Sequence, residues 1–259
     1  MANRARLDTV LVEQGLFVSR EQAQRAVMAG SVKLGDRVLN KSSLLIERDA
    51  RLSITTPPKF VGRGGLKLEG GLEYFRIDPA GATALDIGAS TGGFTDCLLQ
   101  RGAGRVIALD VGRGQLDWSL RNDPRVEVLE GLNARELVPE RLPYEADLAV
   151  IDVSFISLAK VLGPVADGVA ADGSLLAMVK PQFELGRGRV GKGGVVRSAE
   201  ERAEAVAAVV AAAEGLGLHP QGVAPAGLPG PKGNREVFVL LARRPGLEDV
   251  AGTIARAVR

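Results

Sequence analysis

The stretch ALDIGASTGGFTD, residues 84–96, decides how the rest of the chain is read. An apolar run ends at Gly88, a polar turn rich in glycine follows, and helical spacing begins after it. Gly88, Gly92 and Gly93 leave the backbone open to a ligand where a strand ends and a helix starts. Open α/β sheets hold their ligands at that place. Two other glycine signatures do not fit. The spacing is not Gly-x-Gly-x-x-Gly, and no Gly-Lys-Ser/Thr triplet closes the turn as a phosphate loop requires.

The next apolar run, RVIALD, ends at Asp110, 22 residues after Gly88. An acid there takes the hydroxyls of a ribose, although the same residue also suits a plain helix cap ahead of Gly112–Gln115. A glycine-rich first turn, a ribose-binding acid and no pyrophosphate signature together favour S-adenosylmethionine over a dinucleotide. Further on, the apolar runs RVEVL, DLAVIDV, GSLLAMVK and EVFVLLA alternate with helical stretches, one of them near 198–214. This alternation predicts a mostly parallel sheet with helices on both faces. The glycine-rich stretch 186–194 reads as a mobile loop.

Before residue 60 the pattern differs. Residues 6–15 and 19–30 read as two short helices ended by Gly15 and Gly30, the second opened by Ser19 with Gln22 in a capping box. SVKLG and RVLN flank a Gly35–Asp36 turn, which is a hairpin signal, and RLSIT follows. Thr55–Thr56–Pro57–Pro58 marks a boundary, since prolines cannot continue a strand interior. Residues 1–60 hold ten Lys/Arg against six Asp/Glu, a net charge of +4, and the remainder holds 23 against 25, a net −2. A basic segment on a near-neutral body suits a polyanionic partner.

Composition excludes several classes. The 259 residues contain one Cys, Cys97, and one His, His219. No internal disulfide is possible, a Cys/His zinc site cannot be built, and no metal is expected. The longest apolar run, Ala205 to Ala213, is nine residues, against roughly 18 or more for a membrane span. Asp8 and Glu13 interrupt the N-terminal stretch, so it does not read as a signal peptide. The expectation is a cytoplasmic protein with no membrane association, as a monomer or weak dimer.

Through DIGASTGGFTD (86–96) and ALDVGRGQLDW (108–118) the chain resembles the FtsJ-like ribose methyltransferases. More narrowly it resembles the group of ribosomal RNA cytidine-2′-O-methyltransferases once named hemolysins, with GRGGLKLEGGL (62–72), IDVSFISL, MVKPQFE and GNREVFVLL completing the likeness. Residues 4–60 resemble a small α+β RNA-binding domain of the S-four type. The resemblance implies a Rossmann-like α/β methyltransferase domain over 61–259, a seven-stranded, mostly parallel sheet with its last strand antiparallel, joined to domain 1–60 by a linker at about 55–65. It implies S-adenosylmethionine as cofactor and 16S and/or 23S ribosomal RNA, within a subunit, as substrate.

FtsJ-like enzymes use a Lys-Asp-Lys-Glu tetrad, and the matching positions are Lys67, Asp152, Lys180 and Glu236. The residues themselves agree for three. Asp152 and Lys180 end apolar strands and emerge at the carboxyl edge. Glu236 begins the last strand, which reaches the same edge if that strand is antiparallel. A lone Lys or Glu is ordinarily a surface ion pair; four together in these contexts carry chemistry. Lys180 is the expected base, and its ordinary pKa of about 10.4 must fall through a second cation, Lys67, and partial burial. The cofactor is expected on Asp86, Gly88, Ala89, Ser90, Thr91, Gly92, Gly93 and Phe94 of the turn, on Asp110, and on Asn133 for the adenine amine. Trp118 and Cys97 read as packed core.

Residue types separate other methyl-transfer chemistries. Carbon methylation of cytosine needs a Cys nucleophile, and Cys97 lies in the helix after the turn. Amine methylation uses an Asp/Asn-Pro-Pro-aromatic run, whereas Asp152 continues Val-Ser-Phe. RNA is expected to meet Arg4, Arg6, Arg20, Arg25, Lys33, Arg37 and Lys41 through phosphates, with Lys59, Arg63, Lys192 and Arg197 extending the track. The competing readings are a pore-forming lytic protein and a non-catalytic RNA-binding protein.

Overall fold

The alternating apolar runs form strands. The computed structural model describes residues 3–28, 30–55, 59–186, 189–191, 193–230 and 233–259. Thr56–Pro58 and Lys192 lie outside these, as does the side chain of Arg25. The chain divides into two compact units, Met1–Lys59 and Phe60–Arg259.

The first unit runs β1 (Arg4–Arg6), α1 (Leu7–Glu13), α2 (Arg20–Met28), β2 (Val32–Leu34), β3 (Arg37–Val38), β4 (Leu45–Glu47) and β5 (Leu52–Ile54). β1 pairs with β4, and β3-β2-β5 form a small antiparallel sheet. The segment Arg4–Arg6 is therefore a strand, and the first helix begins only at Leu7. Ser19 Oγ accepts from the Gln22 amide at 3.3 Å, which caps the start of α2. The core is Leu7, Val10, Leu11, Ala23, Val27, Val32, Leu39 and Ile46. At its edge Asp8 is fully buried. Its carboxylate accepts two hydrogen bonds from Arg6 at 3.0 and 2.8 Å, one from Gln24 at 2.7 Å and one from Arg20 at 3.3 Å. The Arg6 guanidinium, then Gln24 and Arg20, hold this acid well below the usual carboxylate range against the opposing effect of burial.

The second unit continues with α3 (Gly64–Phe75), β6 (Thr83–Ile87), α4 (Gly93–Gln100), β7 (Arg105–Asp110), α5 (Trp118–Arg121), β8 (Val126–Glu130), β9 (Ala146–Ile151), α6 (Leu162–Asp167), β10 (Val169–Val179), α7 (Pro181–Glu184), α8 (Ala199–Glu214), β11 (His219–Pro225), β12 (Val237–Ala242) and α9 (Val250–Ala257). The seven strands lie in the order β11-β12-β10-β9-β6-β7-β8. β12 is antiparallel to both of its neighbours, and the pairs among β6 to β10 are parallel.

Strand residues alternate between two cores. Ala84, Val106, Val150, Leu176 and Phe238 face one side with Leu68, Leu72 and Leu98 of α3 and α4. Leu85, Ile107, Ile151, Leu175 and Val239 face the other with Leu162, Val206 and Ile254 of α6, α8 and α9. Burial on both faces is why these strands read as continuous apolar runs. Each fully buried Leu contributes about 1.5–3 kcal/mol. α8 starts where Ser198 Oγ accepts from the Glu201 amide at 3.2 Å.

One expectation is corrected. Trp118 is 77% exposed, because it opens a four-residue helix whose inward contact is made by Leu120. His219 belongs to an edge strand, β11, whose prolines Pro220 and Pro225 disguise it; an edge position tolerates their missing donors. Of the 186–194 stretch, the described residues form no helix or strand; Arg189 pairs with Glu204 of α8, and Gly194 donates to the Gly191 carbonyl at 3.0 Å.

Candidate active site

The carboxyl edge of the parallel strands collects the expected side chains. Asp152 follows β9, and its amide donates to the Ile87 carbonyl at 2.9 Å. Lys180 follows β10. Val179 and Val237 are register partners, so Lys180 and Glu236 leave their strands side by side at this edge. Lys67 projects from α3 on the face that also buries Leu68, Gly71 and Leu72.

The four groups form two ion pairs. Lys67 binds Glu236 in a pair whose side chains are only 10% and 2% exposed. Lys180 Nζ lies 2.5 Å from Asp152 Oδ1 and donates to Ser154 Oγ at 2.9 Å. Asp152 Oδ1 is buried and takes no hydrogen bond, so the contact is an ion pair alone. Each lysine thus has its own carboxylate. Ser154 is an addition that no spacing in the sequence announces.

Beside these pairs lies a cleft of about 160 Å³, lined by Gly62, Arg63, Gly64, Gly88, Ala89, Ser90, Thr91, Gly93, Phe94 and Asp152. Three chain segments meet there only because they carry glycine. A Cβ on Gly88, whose φ is +86°, would stand 2.6 Å from the Asp152 carbonyl oxygen; one on Gly62 would stand 2.9 Å from Thr91 Oγ1, and one on Gly93 3.1 Å from the Gly62 carbonyl oxygen. Gly92 is also left-handed, with φ +98°, as the cap residue of α4. Phe94 is buried yet forms part of the wall.

The remaining expected cofactor residues are engaged as follows. Asp86 is fully buried, and its Oδ2 accepts from Thr95 Oγ1 at 2.7 Å. Asp110 accepts from the Ser90 amide at 2.8 Å and the Gly112 amide at 2.6 Å, tying the glycine-rich turn to the loop after β7. A carboxylate has about four acceptor sites, so this clamp leaves part of its acceptor capacity unused. Asn133 Oδ1 caps the short turn of 3-10 helix at Ala134–Glu136 by accepting from the Arg135 amide at 3.1 Å.

Sequence reasoning missed an aromatic pair. Phe155 is 90% exposed with φ +64°, and its ring packs against that of Phe183, with centroids 5.0 Å apart and planes tilted by 47°. A left-handed conformation costs a non-glycine residue roughly 1–2 kcal/mol, so the loop must be held. Glu184 does this, accepting from Ser157 Oγ at 2.6 Å and the Leu158 amide at 2.9 Å. The only signal in the sequence was an aromatic after Val153–Ser154.

The profile described as FtsJ-like methyltransferase matches residues 60–243, and that described as S4 domain matches residues 5–52. This chain belongs to the FtsJ-like methyltransferase family. It is 48% identical over 258 residues to the 16S/23S rRNA (cytidine-2′-O)-methyltransferase TlyA of Mycobacterium tuberculosis, covering 96% of each chain. It is 41% identical over 194 residues to Hemolysin A of Brachyspira hyodysenteriae, covering 74% of this chain and 80% of that one. A solved structure from Streptococcus thermophilus that also carries the hemolysin name matches at TM-score 0.75 and 38% identity, covering 100% of this chain and 95% of that one. Among the described residues of this methyltransferase, no helix is long and apolar enough to cross a membrane.

On the S4 unit, Arg4, Arg37 and Lys41 are exposed and Lys33 is half-buried. Arg4 pairs with Glu47 at 2.6 Å. Arg6 and Arg20 are both held by Asp8 and keep 44% and 55% of their side-chain surface exposed.

Proposed function

We propose that this protein methylates the 2′-hydroxyl of a cytidine ribose in 16S and/or 23S ribosomal RNA, using S-adenosylmethionine, in the cytoplasm. The observation that carries the reading is the meeting of two lysine–carboxylate pairs with the glycine-walled cleft at one sheet edge, in a chain of this family. The cleft is smaller than the 300–1,000 Å³ of pockets that enclose a drug-sized ligand. It suits one end of an elongated molecule, whose nucleoside end then lies along the edge toward Asp110 and Asn133.

S-adenosylmethionine supplies a methyl group already activated on a sulfonium. The protein's task is to align the ribose hydroxyl with it and to remove one proton. Lys180, having first given one proton to solvent, takes the O2′ proton on Nζ as the methyl group leaves the sulfonium for O2′. Asp152 and Ser154 hold that nitrogen in place, and the Asp152 carboxylate stabilises the ammonium that results. The buried Lys67–Glu236 pair, at the same sheet edge, helps to position the ribose. Phe155 offers an exposed ring beside Ser154 on which the target base stacks; such stacking is worth about 1–3 kcal/mol per base. Arg4, Arg6, Arg20, Lys33, Arg37 and Lys41 supply phosphate contacts.

The test is methylation of intact small and large ribosomal subunits with labelled cofactor, followed by mapping of the modified ribose. Lys67→Ala and Lys180→Ala each abolish transfer and leave cofactor binding, measured by calorimetry, largely intact. Full activity in both variants overturns the assignment.

A further inference from the structure

A second cavity, of about 540 Å³, borders the acidic edge at Glu236 and otherwise lies outside it, between the β11–β12 connection and the end of α9. β12 stands between β10 and β11 in the sheet, so this cavity is on the side of Glu236 away from Lys180. Neighbouring strands are about 4.8 Å apart, which puts its near end within roughly 10 Å of that lysine. Its volume falls among those of sites that enclose a small ligand. Leu228, Val237, Ala257 and Val258 give it an apolar wall, and the exposed Arg235 and Arg259 also line it. Glu236 is the one acid among the described lining residues, and Lys67 holds it.

Two buried polar residues that the proposed reaction does not use hold these walls. Arg202 of α8 is 5% exposed. Its Nε and Nη2 donate to the Val258 carbonyl at 3.1 and 2.5 Å, and its Nη1 to the Arg197 carbonyl at 2.8 Å, which ties down the end of α9. Asn234 is 3% exposed, accepts from the Val196 amide at 2.9 Å and donates to the Gly194 carbonyl at 2.7 Å. Its own carbonyl accepts from the Gly230 amide at 2.9 Å, inside the β11–β12 connection. Walls fixed in this way need little ordering when a ligand enters. Arg235 spends one Nη1 hydrogen on the Arg259 main-chain oxygen at 2.8 Å; a guanidinium has five donors, so four remain.

An apolar wall beside unspent guanidinium donors suits a flat ring joined to an anion, which describes a nucleotide. An RNA strand whose ribose lies at Lys180 must also leave the site, and toward the cofactor cleft it would run past the carboxylates of Asp152 and Asp110. The side away from them is the side of this cavity. We propose that the cavity takes the nucleotide next to the target cytidine, with its base on the apolar wall and its phosphate on Arg235. This rests on the ribose-methylation reading and adds a second subsite to it, so that the enzyme grips two consecutive nucleotides.

The experiment is steady-state methylation of intact ribosomal subunits by the full chain, by Arg235→Ala and by Ala257→Trp, which fills the cavity. The KM for the subunit rises about tenfold in each variant, while kcat and the calorimetric dissociation constant of the cofactor stay unchanged. For Arg235→Ala the slope of log KM against log salt also falls by about 0.7, the share of one phosphate in single-stranded RNA. A variant that only disturbed Glu236 would lower kcat instead. p-Benzoylphenylalanine in place of Leu228, which is 42% exposed, locates the contact by photo-crosslinking and primer extension: the crosslink falls on the neighbour of the methylated ribose. If Ala257→Trp does not fold, Arg235→Ala and the crosslink decide the matter. An unchanged KM in Arg235→Ala, a fall in kcat alone, or a crosslink that is absent or elsewhere overturns the inference and leaves the methylation reading standing. A natural chain that methylates neither subunit overturns both.

Discussion

Removing one member of the Lys67–Glu236 pair separates its chemical role from its structural one. Both side chains are almost wholly enclosed, 10% and 2% exposed, so Glu236→Leu strands an ammonium and Lys67→Met strands a carboxylate. Breaking a buried pair from one side costs about 3–5 kcal/mol, whereas replacing both partners by apolar groups is often neutral or stabilising. In a unit of the size of Phe60–Arg259, each kcal/mol moves the melting temperature by about 2–4 °C. Each single variant therefore melts roughly 10 °C lower, and the double variant Lys67→Met/Glu236→Leu returns to within a few degrees of the parent. Methyl transfer stays absent in all three. Scanning calorimetry and labelled-methyl assays on the same samples read both quantities. Two outcomes refute the reasoning. If the single costs add in the double variant, the pair is not coupled; if the double variant regains activity, the pair only supports the fold.

Gly88→Ala places a methyl group 2.6 Å from the Asp152 carbonyl oxygen in a left-handed backbone. Cofactor affinity by calorimetry falls more than 100-fold, and a loss under threefold contradicts the cradle. Phe155→Ala lowers the transfer rate at saturating cofactor by about tenfold or more, consistent with a stacking energy of about 1–3 kcal/mol, with an unchanged cofactor dissociation constant; an unchanged rate removes the ring from the reaction. Asp8→Asn loses charge-assisted hydrogen bonds worth about 1.5–3 kcal/mol to the S4 unit. Because the folded-state pKa of Asp8 is depressed, its contribution is present above the unfolded value and lost as pH falls below about 4. Urea unfolding followed on the S4 unit at pH 7 and pH 3 should show the gap between parent and variant closing in acid.

The parallel sheet was legible because its strands are buried on both faces, so β6, β7, β9 and β10 stand out as apolar runs. Strand ends were legible for the same reason: Asp152 and Lys180 are the first polar residues after such a run. Short or edge elements were not. β1 and β4 are three residues each, too short for an alternation to register. β11 carries two prolines. Lys67 could be placed only through the resemblance, although a Lys between Leu66 and Leu68 on a helix face that buries Leu68 and Leu72 is itself a sign of a paired charge. The partner, Glu236, is 169 positions away, and no local pattern encodes that distance. Trp118 was misplaced because aromatic character alone does not say which side of a four-residue helix faces inward.

Charge is divided between the two units in a way that follows from what each must hold. At the carboxyl edge, Asp86, Asp110, Asp152 and Glu236 outnumber Lys67, Lys180 and the cleft-lining Arg63 by four to three. Such an edge favours a cationic cofactor and disfavours a phosphodiester backbone, whose charge has the opposite sign. The RNA must therefore be held by groups outside that edge. Residues 1–60 carry a net +4 against −2 for the rest. There the buried carboxylate of Asp8 fixes Arg6 and Arg20 without covering them, because a guanidinium has five donors and these two remain about half exposed. An acid that neutralises arginines on paper instead holds them in one orientation, as the proposed phosphate contacts require.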